Sequence, residues 1–132
     1  MTVLYPGDGR TGILIHESWS WAEVLSASGE LDIAIVPQFG PAVDKLLRGN
    51  LPVVVDLSGC SYLDSTILRV LVGAANAGPN RFAILIPPGA AVRRVFQIAG
   101  LDRVLQIHES REDLQRYFST KSPEATQPQT QV

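Results

Sequence analysis

Two short, unbroken apolar runs stand out in the middle of the chain, "LPVVVDLSG" (51–59) and "RFAILIPP" (81–88). Runs of this length, rich in branched residues and closed by turn residues, predict strands covered on both faces. Upstream, "GILIHES" (12–18) and "SWAEVLSASGELDI" (20–33) predict two more strands separated by a short polar turn. Pro37, Gly40 and Pro41 then interrupt the chain. Pro41 suits a first helical turn, where a missing N–H costs nothing. Val43, Leu46 and Leu47 follow at i, i+3 and i+4, and Gly49 ends that helix. Residues 59–64 read as a loop, followed by helical spacing to about Ala77. Val92, Val95, Phe96 and Ala99 repeat the helical spacing up to Gly100. "RVLQIHE" (103–109) predicts a last strand. "SRED" (110–113) opens a last helix, with Ser110 as its cap and Leu114, Tyr117 and Phe118 as its apolar face.

The predicted order is β-β-α-β-α-β-α-β-α. Strands alternating with helices imply an α/β domain, a mostly parallel central sheet covered by about four helices. The expected limits are a short N-terminal extension (1–11), one domain (12–118) and a polar C-terminal tail (119–132) expected to be disordered. The "DSTIL" segment leaves the end of the "VVVDL" region, where loops of such folds carry function.

Composition narrows the class. The chain is 45% hydrophobic and 18% charged, which favours a packed core over disorder. Its net charge of −2 offers no electrostatic footprint for nucleic acid or an anionic membrane. Cys60 is the only cysteine, so no internal disulfide is possible and a reducing compartment is the natural home. "MTVLYPGDGR" lacks the pattern of a signal peptide, and no apolar run reaches the roughly 18 residues of a membrane helix. A cytoplasmic domain is expected.

Most catalytic chemistries find no support. "GDGRTG" (7–12) matches the dinucleotide fingerprint in letters, but that motif needs a strand before it and a helix after it. Here a strand follows, so a turn is expected. His16 and His108 lack metal-ligand spacing. Cys60 has no basic neighbour to activate it. Ser65 is outside a G-x-S-x-G elbow, and no nearby sequence supplies an oriented base. Neither a cofactor nor a metal is expected, and a small serine hydrolase using Ser65 is the different-class alternative.

What remains is "SYLDSTILRV" (61–70). Ser65 can simply cap the following helix, with Asp64 adding favourable charge at its positive end. It can instead be a modification site. The helix is apolar around much of its circumference. Leu68, Leu71, Val72 and Ala75 form one stripe, expected to face the sheet, and Ile67, Val70 and Ala74 form a second. The second stripe can pack against a neighbouring helix or dock a partner.

"GELDI" (29–33), "VVVDLSGCSYLDSTIL" (53–68) and "VRRVFQIAGLDRVL" (92–105) resemble, in order and spacing, three signatures of the STAS domain. The resemblance is to bacterial anti-sigma-factor antagonists and covers about residues 12–118. It implies a partner-switching protein rather than an enzyme. The unmodified form would bind an anti-sigma factor that is also a serine protein kinase. Phosphorylation would release it, and a serine phosphatase would reverse the change. By position the phosphorylated serine is Ser65, and Asp32 of the G-E-L-D turn lies near the same surface. The implied partner-binding set is Asp32, Asp64, Ser65, Thr66, Ile67, Arg69 and Val70. Family members usually carry glycine at the position of Ile67, and often a small residue at that of Arg69. Ile67 is therefore expected to project toward the partner, either as a specific contact or as a block to the kinase. Arg69 can lie near enough to pair with a phosphate. The alternative within the fold is a non-phosphorylated scaffold or an accessory subunit of a transporter or stress complex.

Overall fold

The computed structural model describes residues 1–7 and 12–121. Seven strands and four helices follow one another as β1 (Thr2–Tyr5), β2 (Ile13–Trp19), β3 (Ala22–Leu31), α1 (Val36–Leu47), β4 (Val53–Asp56), β5 (Cys60–Leu63), α2 (Ser65–Ala77), β6 (Phe82–Leu85), α3 (Arg93–Ile98), β7 (Ile107–His108) and α4 (Arg111–Lys121). Short 3-10 turns precede α1 (Ile33–Ile35) and follow α3 (Leu101–Arg103). The sheet runs β1-β2-β3-β4-β6-β7, and β5 pairs with the far end of β3. The β1–β2 and β2–β3 pairs are antiparallel and the rest are parallel, so the α/β domain is built on a mixed sheet.

The sheet separates two cores. On one face Phe39 and Val43 of α1, Ile67, Leu71 and Ala74 of α2, and Val92 and Phe96 at α3 pack over Leu14, Leu25, Val53, Val55 and Ile84. On the other, Leu114 and Phe118 of α4 cover Ala22, Val24, Val54, Ala83 and Leu85. Val53, Val54 and Val55 alternate between the two, which is why their run carries no polar residue. Among the described residues, no helix is long and apolar enough to cross a membrane.

Several expectations change. The N-terminal extension contains β1, which adds an antiparallel edge to β2. The expected loop at 59–64 contains β5. The first helix starts at Val36 rather than Pro41: Pro37 lies in its first turn, and exposed Pro41 sits inside it, on the solvent side where a lost backbone bond is cheapest. The last strand shrinks to two residues, because Leu101–Arg103 is taken up by a 3-10 turn. Ser110 does cap α4, accepting from the Asp113 N–H at 3.1 Å. That helix continues through Ser119–Lys121, three residues past the expected domain limit. The remainder of the tail (122–132) and most of the "GDGRTG" turn (8–11) lie outside the described residues.

One glycine decides how the sheet leads into the site. Gly29 has φ +80°, a left-handed conformation that glycine adopts without strain, and the β3–β5 register shifts at that point. There β3 leaves β4 and takes β5 as its parallel neighbour, with the Gly29 N–H donating to the Gly59 carbonyl at 2.9 Å. Leu31 then stands beside Leu63.

Candidate partner-binding and phosphorylation site

The Leu31–Leu63 register brings two aspartates out at the same end of the sheet. Asp32 follows β3, Asp64 follows β5, and the Asp64 N–H donates to the Leu31 carbonyl at 2.9 Å. Each aspartate starts a helical turn. Asp32 caps the 3-10 turn Ile33–Ile35 by accepting from the Ala34 N–H at 3.0 Å. Asp64 caps α2: its Oδ1 accepts from both the N–H and the hydroxyl of Thr66, each at 2.8 Å. The Thr66 N–H first, and then the Thr66 hydroxyl, hold the Asp64 carboxyl below its ordinary value. Both side chains are therefore held in place by backbone hydrogen bonds before any partner arrives.

The cap of α2 is thus Asp64, not Ser65. Asp64 has the extended backbone of a cap (φ −83°, ψ 155°), and Ser65 is the first helical residue, exposed to solvent. Its hydroxyl adds a weaker hydrogen bond to the Asp64 carboxylate and is not the cap itself. The idea that Ser65 is a structural cap is overturned. The Thr66 N–H is already taken by Asp64, and those of Ile67 and Leu68 reach the Asp64 carbonyl at 3.0 and 3.4 Å.

Ile67 is a second correction. It does not project toward a partner, because its side chain is 0% exposed and packed in the larger core. The sheet-facing stripe of α2 is Ile67, Leu71 and Ala74, while Leu68, Val70, Val72 and Ala75 are only partly buried. The helix is rotated from its expected setting. The Ile67 side chain presents no exposed surface. Of the other expected contacts, Asp32, Asp64, Thr66 and Val70 are partly exposed, and Ser65 and Arg69 are exposed.

Two residues beside this set were not anticipated. Ile33, directly after Asp32, is 63% exposed, and Tyr62, two residues before Asp64, is 50% exposed. No alternation along "CSYL" carried the clue, since buried Cys60 and Leu63 bracket two consecutive outward residues. Cys60 itself is sequestered; burial pushes its thiol up to about 11.

Nothing in this geometry resembles a hydrolytic centre. His16 is engaged by Glu23 across the β2–β3 pair, and His108 stacks on Tyr117 with centroids 4.9 Å apart. Among the described residues no group of three or more His, Cys, Asp or Glu side chains is placed to hold a metal.

Comparison with known proteins identifies the family. Residues 16–107 match the family model described as "Mlab, STAS domain". An anti-sigma-B factor antagonist of Staphylococcus aureus is 31% identical over 91 residues, spanning 67% of this chain and 84% of the relative. The crystal structure of an anti-sigma factor antagonist from Mycobacterium paratuberculosis superposes with a TM-score of 0.70 at 25% identity, covering 78% of this chain and 90% of that one. The Bacillus cell fate determinant SpoIIAA in its phosphorylated form shares the fold, with a TM-score of 0.55 at 22% identity over 78% of this chain and 97% of that one. These relatives are named as regulators, not enzymes. Sequence, fold and site together place this chain in the STAS-domain family of anti-sigma-factor antagonists.

Proposed function

We propose that this protein is a cytoplasmic anti-sigma-factor antagonist that works by partner switching. Unmodified, it binds an anti-sigma factor that is also a serine protein kinase, and so frees the sigma factor. Phosphorylation of Ser65 ends that binding, and a serine phosphatase restores it. In the transfer, Ser65 Oγ bonds to the γ-phosphorus of ATP, ADP leaves, and the hydroxyl proton passes to a base on the kinase.

The observation that carries this reading is the division of labour between two adjacent residues. Asp64 does the structural work of the cap, which leaves Ser65 solvent-exposed, with its hydroxyl close enough to hydrogen-bond the Asp64 carboxylate. Modification then leaves the fold intact, because the phosphate points into water from the first turn of a helix whose cap is elsewhere. The partner is affected far more. A surface shaped around a neutral hydroxyl between Asp64 and Asp32 meets roughly 1.5 to 2 extra negative charges and their hydration. The buried setting of Ile67 also supports the reading, since a kinase approaching Ser65 meets no isoleucine in place of the usual glycine.

The test is incubation with ATP and candidate anti-sigma kinases encoded nearby, followed by intact-mass analysis and site mapping. One phosphoryl group on Ser65, absent from Ser65→Ala, is the expected result. A kinase that binds the protein tightly yet never modifies Ser65 would sink the switch and leave a binding-only STAS domain.

A further inference from the structure

Arg69 is the residue of this surface that the switch leaves without a role. It lies four positions after Ser65 on α2, and both side chains are exposed. Residues at i and i+4 are neighbours on a helix surface, and helical side chains lean toward the N-terminus. Arg69 therefore reaches back over the turn that holds Ser65. An anion N-terminal to its cation is also the favourable order for such a pair. In the unmodified protein Arg69 makes no hydrogen bond or ion pair among the described residues, although Asp64 is close by in sequence. The Asp64 carboxylate is turned to Thr66 instead. A guanidinium without a partner thus lies one helical turn from the Ser65 hydroxyl, which itself faces the Asp64 carboxylate.

We infer that Arg69 is the intramolecular partner of the phosphate on Ser65. The inference rests on Ser65 being the modified residue. The planar guanidinium matches two phosphate oxygens, and its flexible stem covers the one-turn separation. In the unmodified state the same arginine presents a cation to the visiting partner. In the phosphorylated state it folds onto the phosphate and is withdrawn. Phosphorylation therefore changes the surface twice, by adding negative charge and by removing the nearest positive one. Phosphoserine and arginine form the pair. An aspartate at position 65 is too short to reach as well, so Ser65→Asp mimics the switch incompletely.

The test places phosphoserine at position 65 during synthesis of the full chain and follows its second ionisation by ³¹P NMR. The charges carried near this turn are Asp64 at the end of β5 and Asp32 in the turn after β3, whereas Asp44, Lys45 and Arg48 lie toward the far end of α1, where Leu47 packs at Gly78 beyond the C-terminus of α2. All of these stay constant between the proteins compared. Pairing with Arg69 favours the dianion, so the midpoint should lie about 0.3 pH unit lower than in Arg69→Gln, the scale of one exposed i, i+4 pair. Arg69→Lys should recover most of the difference, and high salt should shrink it. Equal midpoints in the parent and Arg69→Gln proteins overturn the inference. No kinase takes part, so a failure of enzymatic phosphorylation would strike the proposed function and leave this result standing.

Discussion

Replacing Ile67 with alanine removes a side chain that is fully buried against the larger core. Burying an isoleucine and then truncating it to alanine typically costs about 2–5 kcal/mol, the transfer free energy plus the cavity left behind. Alanine is the better helix former by a few tenths of a kcal/mol, which offsets little of this. A net loss of about 2–4 kcal/mol follows, a large part of the roughly 5–15 kcal/mol that holds a domain together. With a urea slope of about 1–2 kcal/mol/M, the unfolding midpoint should fall by roughly 1–4 M. Trp19 at the end of β2 and Trp21 in the turn that follows, whose rings lie 5.2 Å apart, provide the fluorescence signal. The sign makes the experiment decisive. An outward-facing Ile67 would change only helix propensity on substitution, in alanine's favour, and the alanine variant would be as stable or slightly more so. An unchanged or raised midpoint refutes the burial argument. Leu68→Ala, on the partly buried side of the same helix, should cost less.

Three further outcomes follow from named contacts. Because Thr66 holds the Asp64 carboxyl below its ordinary value, Asp64 stabilises the fold above about pH 4 and loses that effect as the pH falls through its depressed folded value. Asp64→Asn should flatten the acid limb of the stability curve, and parallel curves for the two proteins would contradict this. Arg81 donates to the carbonyls of Leu47 at 3.1 Å, Gly49 at 2.5 Å and Leu51 at 3.0 Å, tying the end of α1 to the start of β4. Arg81→Met should lower the urea midpoint by an amount equivalent to about 1–3 kcal/mol, and no change would show these bonds to be idle. Cys60, with its thiol pushed up to about 11 and its side chain buried, should resist a thiol reagent at pH 8 until urea unfolds the chain. Rapid labelling of the native protein would contradict that placement.

The long features of the fold were legible because they are continuous in sequence. The valine run of β4 and "FAIL" of β6 are apolar on both faces, and only a covered strand needs that. Ser110 announced α4 through its spacing to Asp113. The strands that escaped notice, "TVLY" and "CSYL", are four-residue edges with polar or exposed positions, and their pairing depends on distant partners. Pro37 and Pro41 looked like interruptions because nothing local shows that one lies in a first turn and the other on a solvent-facing side.

At the site, "D-S-T" offers three residues able to cap a helix. Only the backbone geometry at Asp64 assigns the task, and with it the freedom of Ser65. The rotation of α2 was illegible for a related reason. A helix with two apolar stripes gives its periodicity two solutions, and the packing of α1 and the sheet against Ile67 selects one. The nearness of Asp32 and Asp64 was implied by family resemblance. Its cause, the Gly29 register shift that sets Leu31 beside Leu63, appears only when the strands are paired.

The central claim is that one phosphate on Ser65 abolishes a binding surface while leaving the fold unchanged. Calorimetric titration of the anti-sigma partner with the unmodified protein and with protein carrying phosphoserine at 65 tests it most directly. The account predicts measurable binding of the unmodified form and at least about a tenfold loss on phosphorylation, with superimposable circular dichroism spectra for the two. Equal affinity of the two forms would contradict it.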